Sequence, residues 1–419
     1  MKFSVFSLGC RVNTYEGQAI VNKLINYGFE ATDELVSADY YILNTCSVTA
    51  EADKKSRQAV ARVKKLNPTA KIFICGCSSQ NNAKHFEEKD GVVFIGGVAQ
   101  KSEFVDKILS YIKTGDDDIK TNICQLPTIY EDSLNPRLTT SRAFVKVQDG
   151  CNNFCSYCII PYLRGRSRSR SIESIIKEVE SFSGKTKEVV ITGINVSAYG
   201  KDIGSSLKCL ILALKNIPLR KRFGSLECTV IDDELLKCMQ ESGFCPSFHL
   251  SMQSGCDKTL ADMNRKYTST KFLEKVELIR KYFPDAGITT DVIAGFPQES
   301  DEDFNMTFET CKQAKFMHMH VFPYSEREGT KASKMQQVPK QIRVARAEKL
   351  IKLSEEMNLE FLKAQKGKVY DVFVEECAGE YNVGYTDNFI KVFTKAEVGS
   401  FEKHEINEPY LDGVIGGKI

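Results

Sequence analysis

Short apolar runs alternate with stretches of helical periodicity over residues 1–115. In the longer stretches, apolar side chains recur every three or four positions, as expected of helices with one buried face. Alternation of this kind predicts a doubly wound parallel sheet with helices on both faces. The predicted strands are FSVFSL, YYILN, KIFIC and VVFIG, and the predicted helices span 14–27, 50–66, 80–89 and 100–113.

The alternation resumes near residue 139, after a stretch of 116–138 that lacks periodicity and is predicted to be a linker. Six strand–helix units follow within 139–362, which predicts a partial, open version of the (βα) barrel. The predicted strands are AFVKVQ, EVVITG, RFGSLE, SFHLSMQ, ITTDVIAG and FMHMHVFPY; helices are predicted at 172–182, 206–216, 232–241, 270–282, 302–313 and, as one long amphipathic helix, 340–365.

The C-terminal segment, residues 363–419, has a third pattern. Short runs of alternating apolar and polar residues, separated by turn residues, predict strands rather than helices. A small antiparallel β-barrel is the fold that such a segment favours. The runs are KVYDVFVEE, NVGYTDNFIKVFT and HEINEPYLDGVIGGKI.

Cysteine is the unusual feature of the composition, with 15 residues in 419. Only nine residues precede Cys10, too few for a lipoprotein signal, and no apolar run is long enough to cross a membrane. We therefore predict a cytoplasmic protein, in which clustered cysteines bind metal or react more often than they crosslink. The net charge of +2 indicates no global attraction to nucleic acid, so any such surface must be local.

Three cysteines lie within the stretch GCNNFCSYC, directly after the first predicted barrel strand. Barrels of this type place their chemistry at such strand ends. Thiolates bind zinc or iron–sulfur clusters, and a [4Fe–4S] cluster held by three of them keeps one iron free for a ligand. A zinc site with a distant fourth ligand is the alternative. The candidate ligands are Cys151, Cys155 and Cys158.

A second set of cysteines follows the first three predicted strands, namely Cys10, Cys46, Cys75 and Cys77. The carboxyl ends of parallel strands meet in one crevice, so cysteines far apart in sequence can converge there. Cys77 lies beyond its strand and is the better third ligand, whereas Cys75 is predicted to pack within the strand. The alternative is that these cysteines are small apolar core residues.

The motif CNNFCSYC is similar to the CxxxCxxC motif of radical S-adenosylmethionine (SAM) enzymes. With LGCRVNTYE, NTCSVT and GCSSQ ahead of it in that order, the whole chain resembles the methylthiotransferase family, and its C-terminal segment resembles that family's TRAM domain. The resemblance implies two [4Fe–4S] clusters, one on each cysteine triad, and SAM as cofactor. It also implies an external electron donor of the flavodoxin type and a sulfur source.

The resemblance also implies SAM contacts at the ends of the barrel strands. Tyr157 would line the adenine pocket, Gly193 would admit the amino group, and Glu227 would reach the ribose or the amino group. The alternatives are ordinary packing, turns and polar groups satisfied within the barrel mouth. Further expected contacts are Gln253, Asp291, Gly295 and Phe296.

The activity that the resemblance implies is transfer of a methylthio group to C2 of an adenosine beside the anticodon of tRNA. The residues that make up these motifs favour the branch that acts on N6-threonylcarbamoyladenosine. The branches that act on N6-isopentenyladenosine and on a ribosomal-protein aspartate are the alternatives. A threonylcarbamoyl group carries a carboxylate, so a cation near the active site is expected, although the sequence does not identify it.

The stretch LRGRSRSRS supplies a basic run suited to phosphate contacts. The alternative is a solvated charged surface. The C-terminal segment from residue 361 has seven Lys/Arg against ten Asp/Glu, a net charge of −3, so RNA binding there would depend on shape or stacking. Rival classes are a single-cluster radical enzyme and an RNA-binding module. The predicted RNA-binding residues are Arg164, Arg166, Arg168 and Arg170.

Overall fold

A computed structural model describes residues 1–33, 36–115, 120–132, 135–138 and 140–419. The N-terminal part is a six-stranded sheet with the strand order β2-β1-β3-β4-β5-β6, and neighbouring strands pair in parallel. Its elements are β1 (Lys2–Ser7), α1 (Arg11–Asn26), β2 (Glu30–Ala31), β3 (Tyr40–Thr45), α2 (Ala50–Leu66), β4 (Lys71–Gly76), α3 (Cys77–Asn81), α4 (Lys84–Glu87), β5 (Val92–Gly96), α5 (Lys101–Thr114) and β6 (Thr121–Asn122).

Separate apolar clusters cover the two faces of this sheet, which confirms the doubly wound arrangement. Neighbouring residues of the buried strand β3 supply the two faces in turn, Ile42 one face and Leu43 the other. The linker prediction needs correction, because Thr121 and Asn122 pair with β5 as an edge strand. Residues 116–119 and 133–134 of the predicted linker lie outside the described part of the chain.

The central part is an open barrel made of two four-stranded sheets, ordered β10-β9-β7-β8 and β11-β12-β13-β14. All six predicted barrel strands are present, but RFGSLE is divided at Gly224 into two short strands. The elements are β7 (Ala143–Asp149), α6 (Ile160–Arg164), β8 (Arg168–Ser169), α7 (Ile172–Ser181), β9 (Glu188–Gly193), α8 (Leu207–Ala213), β10 (Arg220–Phe223), β11 (Ser225–Leu226), α9 (Asp233–Glu241), β12 (Ser247–Gln253), α10 (Asp257–Asp262), α11 (Ser269–Tyr282), β13 (Gly287–Ala294), α12 (Asp301–Ala314), β14 (His318–Pro323) and α13 (Lys340–Lys363).

The C-terminal part is a closed barrel with the strand order β15-β16-β17-β19-β18. Most neighbours pair antiparallel, as predicted, whereas β17 and β19 pair in parallel. The strands are β15 (Val369–Ala378), β16 (Tyr381–Tyr385), β17 (Lys391–Thr394), β18 (Phe401–Tyr410) and β19 (Gly413–Lys418).

The closed barrel docks against the amino-terminal ends of the central strands. Arg222 of β10 donates to the backbone carbonyl of Asp387 over 3.0 Å, and Arg220 donates to that of Tyr385 over 3.1 Å. This contact leaves the carboxyl ends of the central strands free to face the N-terminal sheet. Among the described residues, none of the helices combines the length and the apolar character that a membrane span requires.

Candidate active site

The N-terminal cysteine triad forms at the carboxyl edge of the parallel sheet, as predicted. Cys10 follows β1, Cys46 follows β3, and Cys77 opens α3 after β4. These three strands are adjacent in the sheet, so the loops that follow them meet at one place. Cys75 instead lies inside β4 and packs, fully buried, in the apolar core. The structure therefore places Cys77 on the cavity wall and Cys75 in the core, and their roles stay a prediction.

Two glycines allow these loops to approach one another closely. Gly9 has a φ of +95°, and a Cβ atom there would lie 2.3 Å from Sγ of Cys46. Gly76 has a φ of +103°, and its Cβ would lie 2.4 Å from the carbonyl oxygen of Thr45. Any side chain at either position would push the cysteine loops apart, since L residues rarely adopt these angles.

The second triad, Cys151, Cys155 and Cys158, occupies the loop between β7 and α6. All six cysteines of the two triads line a single cavity of about 650 Å³ between the N-terminal sheet and the central barrel. This volume lies within the usual range for small-molecule and cofactor sites. The two sets of thiols therefore face one chamber.

Neither triad is arranged for a single metal ion. Among the described residues, no three His, Cys, Asp or Glu side chains converge on a point where one ion could be held. A zinc ion needs ligand sulfurs about 2.3 Å from the metal, whereas a cluster with several irons needs them spread further apart. The described residues therefore contain no preformed site for a single metal ion.

The donor chemistry of both triads fits a cationic iron–sulfur cluster. Burial raises the pKa of Cys46 to about 12, and the nearby thiols of Cys77 and Cys10 add to the effect. Burial likewise raises the pKa of Cys158 to about 12, with Cys155 and Cys151 contributing. Clustered buried thiols are stable as thiolates only when a positive group joins them, and bound iron supplies that charge.

Arg164 connects the two parts of the chain at the N-terminal triad. This side chain of α6 is fully buried, and its Nε donates to Sγ of Cys77 over 3.3 Å. Its Nη1 donates to Glu16 of α1 over 2.9 Å and to Asp149 of β7 over 3.2 Å. Lys146 completes the group with bonds to the same two carboxylates, at 2.8 and 2.7 Å.

Arg265 has the corresponding position at the second triad. Its Nη1 donates to Sγ of Cys155 over 3.4 Å and lies 3.5 Å from Oε1 of Glu227. Asn153 also donates to that carboxylate oxygen, and its backbone N–H points at Sγ of Cys151 over 3.5 Å. Each triad thus has one arginine that donates a hydrogen bond to one of its sulfurs, and the bond neutralises part of the negative charge of a thiolate.

Most of the predicted SAM contacts lie on the cavity wall beside the second triad. They are Tyr157, Gly193, Glu227, Gln253 and Asp291. Gly193 is packed so closely that a Cβ there would lie 2.9 Å from the carbonyl oxygen of Gln148. Asp291 accepts a hydrogen bond from Nε2 of His249 over 3.1 Å, so His249 is a further polar group of the wall.

Gly295 and Phe296 are placed differently from the prediction. The Phe296 ring is fully buried in an apolar cluster with Met263 and Tyr324, and Tyr157 packs against this cluster. A Cβ at Gly295 would lie 2.4 Å from Cγ of Arg343. The structure therefore puts the Phe296 ring behind Tyr157 rather than on the cavity wall.

The predicted RNA-binding arginines also require correction. Arg164, Arg168 and Arg170 are buried and bonded within the protein, so they are not available to phosphates. Arg168 lies 3.3 Å from Asp149, and Arg170 pairs with Glu178. Only Arg166 of this run is exposed. The short repeat of arginine and serine is an interior ion-pair network and not a basic surface.

Several polar residues of the site were not predicted from the sequence. Asn153, Arg265 and His249 line the cavity beside the cysteines, and so does Asn195, whose Nδ2 lies 3.8 Å from Sγ of Cys151. Asn153 lies within the three-cysteine motif and could have been proposed from that position. Arg265 follows α10, a short helix absent from the predicted elements, so no pattern identified it.

Two family models match the chain. Residues 145–311 match the radical SAM superfamily, and residues 2–97 match the uncharacterized protein family UPF0004. The structure of the radical SAM methyltransferase TsrM from Kitasatospora setae, which holds cobalamin and a [4Fe–4S] cluster, is similar in fold. Its TM-score is 0.60 at 13% identity, covering 79% of this chain and 76% of that one. Residues 145–311 thus form a radical SAM domain, and the cofactors that this superfamily implies are SAM and a [4Fe–4S] cluster.

Curated relatives cover nearly the whole chain. The threonylcarbamoyladenosine tRNA methylthiotransferase MtaB of Bacillus subtilis is 35% identical over 97% of this chain and 94% of its own length. The protein of the same name from Chlamydia pneumoniae is 39% identical, over 93% and 90%. The tRNA-2-methylthio-N(6)-dimethylallyladenosine synthase of Fervidobacterium nodosum is 37% identical, over 90% and 88%. The chain belongs to the radical SAM methylthiotransferase family.

Proposed function

We propose that the enzyme transfers a methylthio group to C2 of N6-threonylcarbamoyladenosine beside the anticodon of tRNA. It would use two [4Fe–4S] clusters, one on Cys10, Cys46 and Cys77 and one on Cys151, Cys155 and Cys158, and two molecules of SAM. The observation that carries this proposal is that both triads line the same cavity.

The target position explains why two such sites would share one chamber. An aromatic carbon of adenine carries a strong C–H bond and no leaving group, so acid–base side chains offer no route to a carbon–sulfur bond. When bound, the clusters supply the reducing electron and the place where sulfur is held, which is chemistry that side chains lack. The protein's contribution is to hold both groups against one substrate position.

The side chains around the second triad each have a task under this proposal. Glu227, which Asn153 and Arg265 hold in place, would accept hydrogen bonds from SAM. Tyr157 covers one side of the adenine pocket and keeps water out, since it is backed by the apolar cluster around Phe296. Arg265 keeps Cys155 in position through its bond to the sulfur.

The choice of substrate rests on the residues of the sequence motifs and on the activities for which the curated relatives are named. Two MtaB relatives are 35% and 39% identical, but a dimethylallyladenosine synthase is 37% identical, so identity does not separate the branches. Action on N6-isopentenyladenosine therefore remains the principal alternative. Action on a ribosomal-protein aspartate is a more distant one.

An exposed aromatic and basic patch near the second triad supports binding of RNA. The guanidinium of Arg166 lies over the ring of Phe154, 4.5 Å from its centroid. Phe154 in turn meets Tyr162 edge to face at 5.5 Å, and 55% of Tyr162 is exposed. Stacking of unpaired bases on such groups is a common mode of RNA recognition.

The C-terminal barrel offers a second surface of this kind despite its negative charge. Nζ of Lys395 lies 4.3 Å from the ring centroid of Tyr381, and the ring of Tyr381 contacts that of Tyr410. Aromatic rings beside a lysine suit the stacking of unpaired bases of an anticodon loop. The enzyme would act in the cytoplasm with tRNA, a flavodoxin-like electron donor and a sulfur source.

The direct test is product analysis under anaerobic conditions. The reconstituted protein is incubated with reductant, sulfide, SAM and tRNA from cells that lack 2-methylthio nucleosides, and the digested tRNA is examined by mass spectrometry. The proposal predicts the 2-methylthio derivative of N6-threonylcarbamoyladenosine. A 2-methylthio derivative of isopentenyladenosine alone would assign the other branch, and 5′-deoxyadenosine without any tRNA product would exclude tRNA as the substrate.

A further inference from the structure

The cavity has three arginines in its wall, and two of them are already engaged. Among the described residues that line it, the arginines are Arg11, Arg164 and Arg265, and there is no lysine. Arg164 is bonded to Glu16 and Asp149, and Arg265 faces Glu227 and Cys155. Neither guanidinium is free to bind an additional anion.

Arg11 is the exception. Within the described part of the chain, its side chain has no hydrogen bond and no ion pair, and it is open to the cavity. The two carboxylates of the cavity wall do not pair with Arg11. Glu227 is bonded to Asn153 and Arg265, and Asp291 is bonded to His249. The guanidinium is always charged, and no carboxylate of the described residues is bonded to it.

The position of Arg11 places it between the two triads. It directly follows Cys10 at the start of α1, and its Nη1 would lie 3.7 Å from a Cβ atom at Gly224, where β10 ends. The side chain thus reaches from the N-terminal sheet to the mouth of the barrel. A group bound to it would lie in the space that both sets of thiols face.

The surroundings of Arg11 favour an anion. The guanidinium groups of Arg142 and Arg222 add positive charge near Arg11, and the carboxylate beside them is that of Glu188. Glu188 is itself engaged by Arg220 at 2.6 Å and by Arg222 at 3.0 Å. Burial and the neighbouring His249 lower the pKa of His320, so His320 adds a neutral hydrogen-bonding group rather than a charge.

We propose that Arg11 binds the carboxylate of the threonylcarbamoyl group and thereby selects this substrate over adenosines with an uncharged N6 substituent. The assignment rests on the proposed function, because it names how the same site recognises that substrate. A guanidinium and a carboxylate form paired, charge-assisted hydrogen bonds, which hold the substituent in one orientation. The adenine attached to it is then fixed relative to both triads.

The first test varies the substrate and leaves the enzyme unchanged. Two anticodon stem-loop RNAs are compared, one with N6-threonylcarbamoyladenosine and one with the methyl ester of its threonyl carboxylate. We expect the ester to raise KM about 10- to 100-fold, the loss expected when one charge-assisted pair is removed. Equal KM values for acid and ester would overturn the assignment.

The second test varies Arg11. We expect Arg11→Gln to raise KM for the acid by a similar factor and to leave KM for the ester little changed, and Arg11→Lys to recover part of the loss. Arg62→Gln, an exposed change on α2 outside the cavity wall, is the matched control. Iron content and electron paramagnetic resonance (EPR) spectra of each variant show whether the Cys10 site still loads.

The outcomes separate this inference from the proposed function. If wild-type enzyme forms no product from the threonylcarbamoyl RNA but modifies an isopentenyl RNA, the proposed function fails. If wild-type enzyme modifies the threonylcarbamoyl RNA and Arg11→Gln weakens acid and ester equally, Arg11 binds another anion, such as an RNA phosphate. A rise in KM for SAM that is equal with both RNAs would assign Arg11 to the SAM carboxylate, and it would also overturn the inference.

Discussion

Nε of Arg164 donates to Sγ of Cys77 across the boundary between the central barrel and the N-terminal sheet, over 3.3 Å. The arginine follows the second triad in sequence by six positions but contacts the first triad in space. A cation bonded to a ligand sulfur stabilises the more negative, reduced state of a cluster. One side chain thus links the loop of one triad to a cysteine of the other.

Replacing Arg164 is predicted to alter the N-terminal site selectively. In Arg164→Gln, Cys77 loses a charged donor, and we expect the reduction potential of the N-terminal cluster to fall. The loss of a buried ion-pair partner of Glu16 and Asp149 is also expected to lower the free energy of unfolding by about 3–5 kcal/mol. A redox titration followed by EPR measures the first effect, and anaerobic urea denaturation measures the second.

Arg265→Gln is the matched control, because Arg265 bonds to Cys155 of the other triad. This variant should change the potential of the second cluster and leave the first as in the wild type. Equal shifts of both clusters in both variants would contradict separate tuning by the two arginines.

Cys75 and Cys77 provide a second prediction, since they lie two positions apart in different surroundings. Cys77 lines the cavity, whereas Cys75 packs in the core with Sγ 3.6 Å from Oδ1 of Asn44. We expect Cys77→Ala to lose the N-terminal cluster and Cys75→Ala to keep it. Iron and sulfide analysis of the two reconstituted variants distinguishes them, and retention of full iron by Cys77→Ala would show that the ligand is wrongly assigned.

The lowered pKa of Glu188 leads us to expect that the stability of the fold depends on pH. Burial alone would raise its pKa, but Arg222, Arg220 and Arg142 outweigh it and hold the pKa at about 2, below the ordinary 4.5. The carboxylate therefore stabilises the fold fully above pH 4.5, and this contribution is lost as the pH falls toward 2.

Glu188→Gln tests this dependence. We expect it to lower the free energy of unfolding by about 3–5 kcal/mol at neutral pH, because it leaves the arginines without their buried partner. The difference from the wild type should narrow by about 1 kcal/mol at pH 4 in anaerobic urea denaturation. Glu274→Gln, an exposed change on α11, is the control and should have little effect at either pH. A difference that does not narrow would contradict the low pKa.

Local sequence patterns predict the fold and which cysteines lie close together. Strand length, helical periodicity and the convergence of parallel strand ends predict that Cys10, Cys46 and Cys77 lie together. The arginines after the second triad could not be placed in this way. Arg164 has its carboxylate partner Glu16 148 positions away, and only the packing of α1 on β7 brings the two together.

The role of Arg11 could not be predicted from the sequence either. Its neighbour Cys10 was identified from the strand end, but nothing in the sequence distinguished Arg11 from other surface arginines. Its importance depends on the absence of a partner in the described part of the chain, which is a property of the assembled cavity. Whether a charged side chain finds a partner depends on the assembled fold, whereas helix and strand periodicity can be recognised from neighbouring residues.

The most direct test of the account is a count of clusters in two triple variants. Iron and sulfide analysis with Mössbauer spectroscopy compares the reconstituted wild type with Cys10→Ala/Cys46→Ala/Cys77→Ala and Cys151→Ala/Cys155→Ala/Cys158→Ala. The account predicts two [4Fe–4S] clusters in the wild type and one in each variant, with methylthio transfer abolished in both. A wild type with a single cluster, and an N-terminal variant with the same iron content as the wild type, would contradict it.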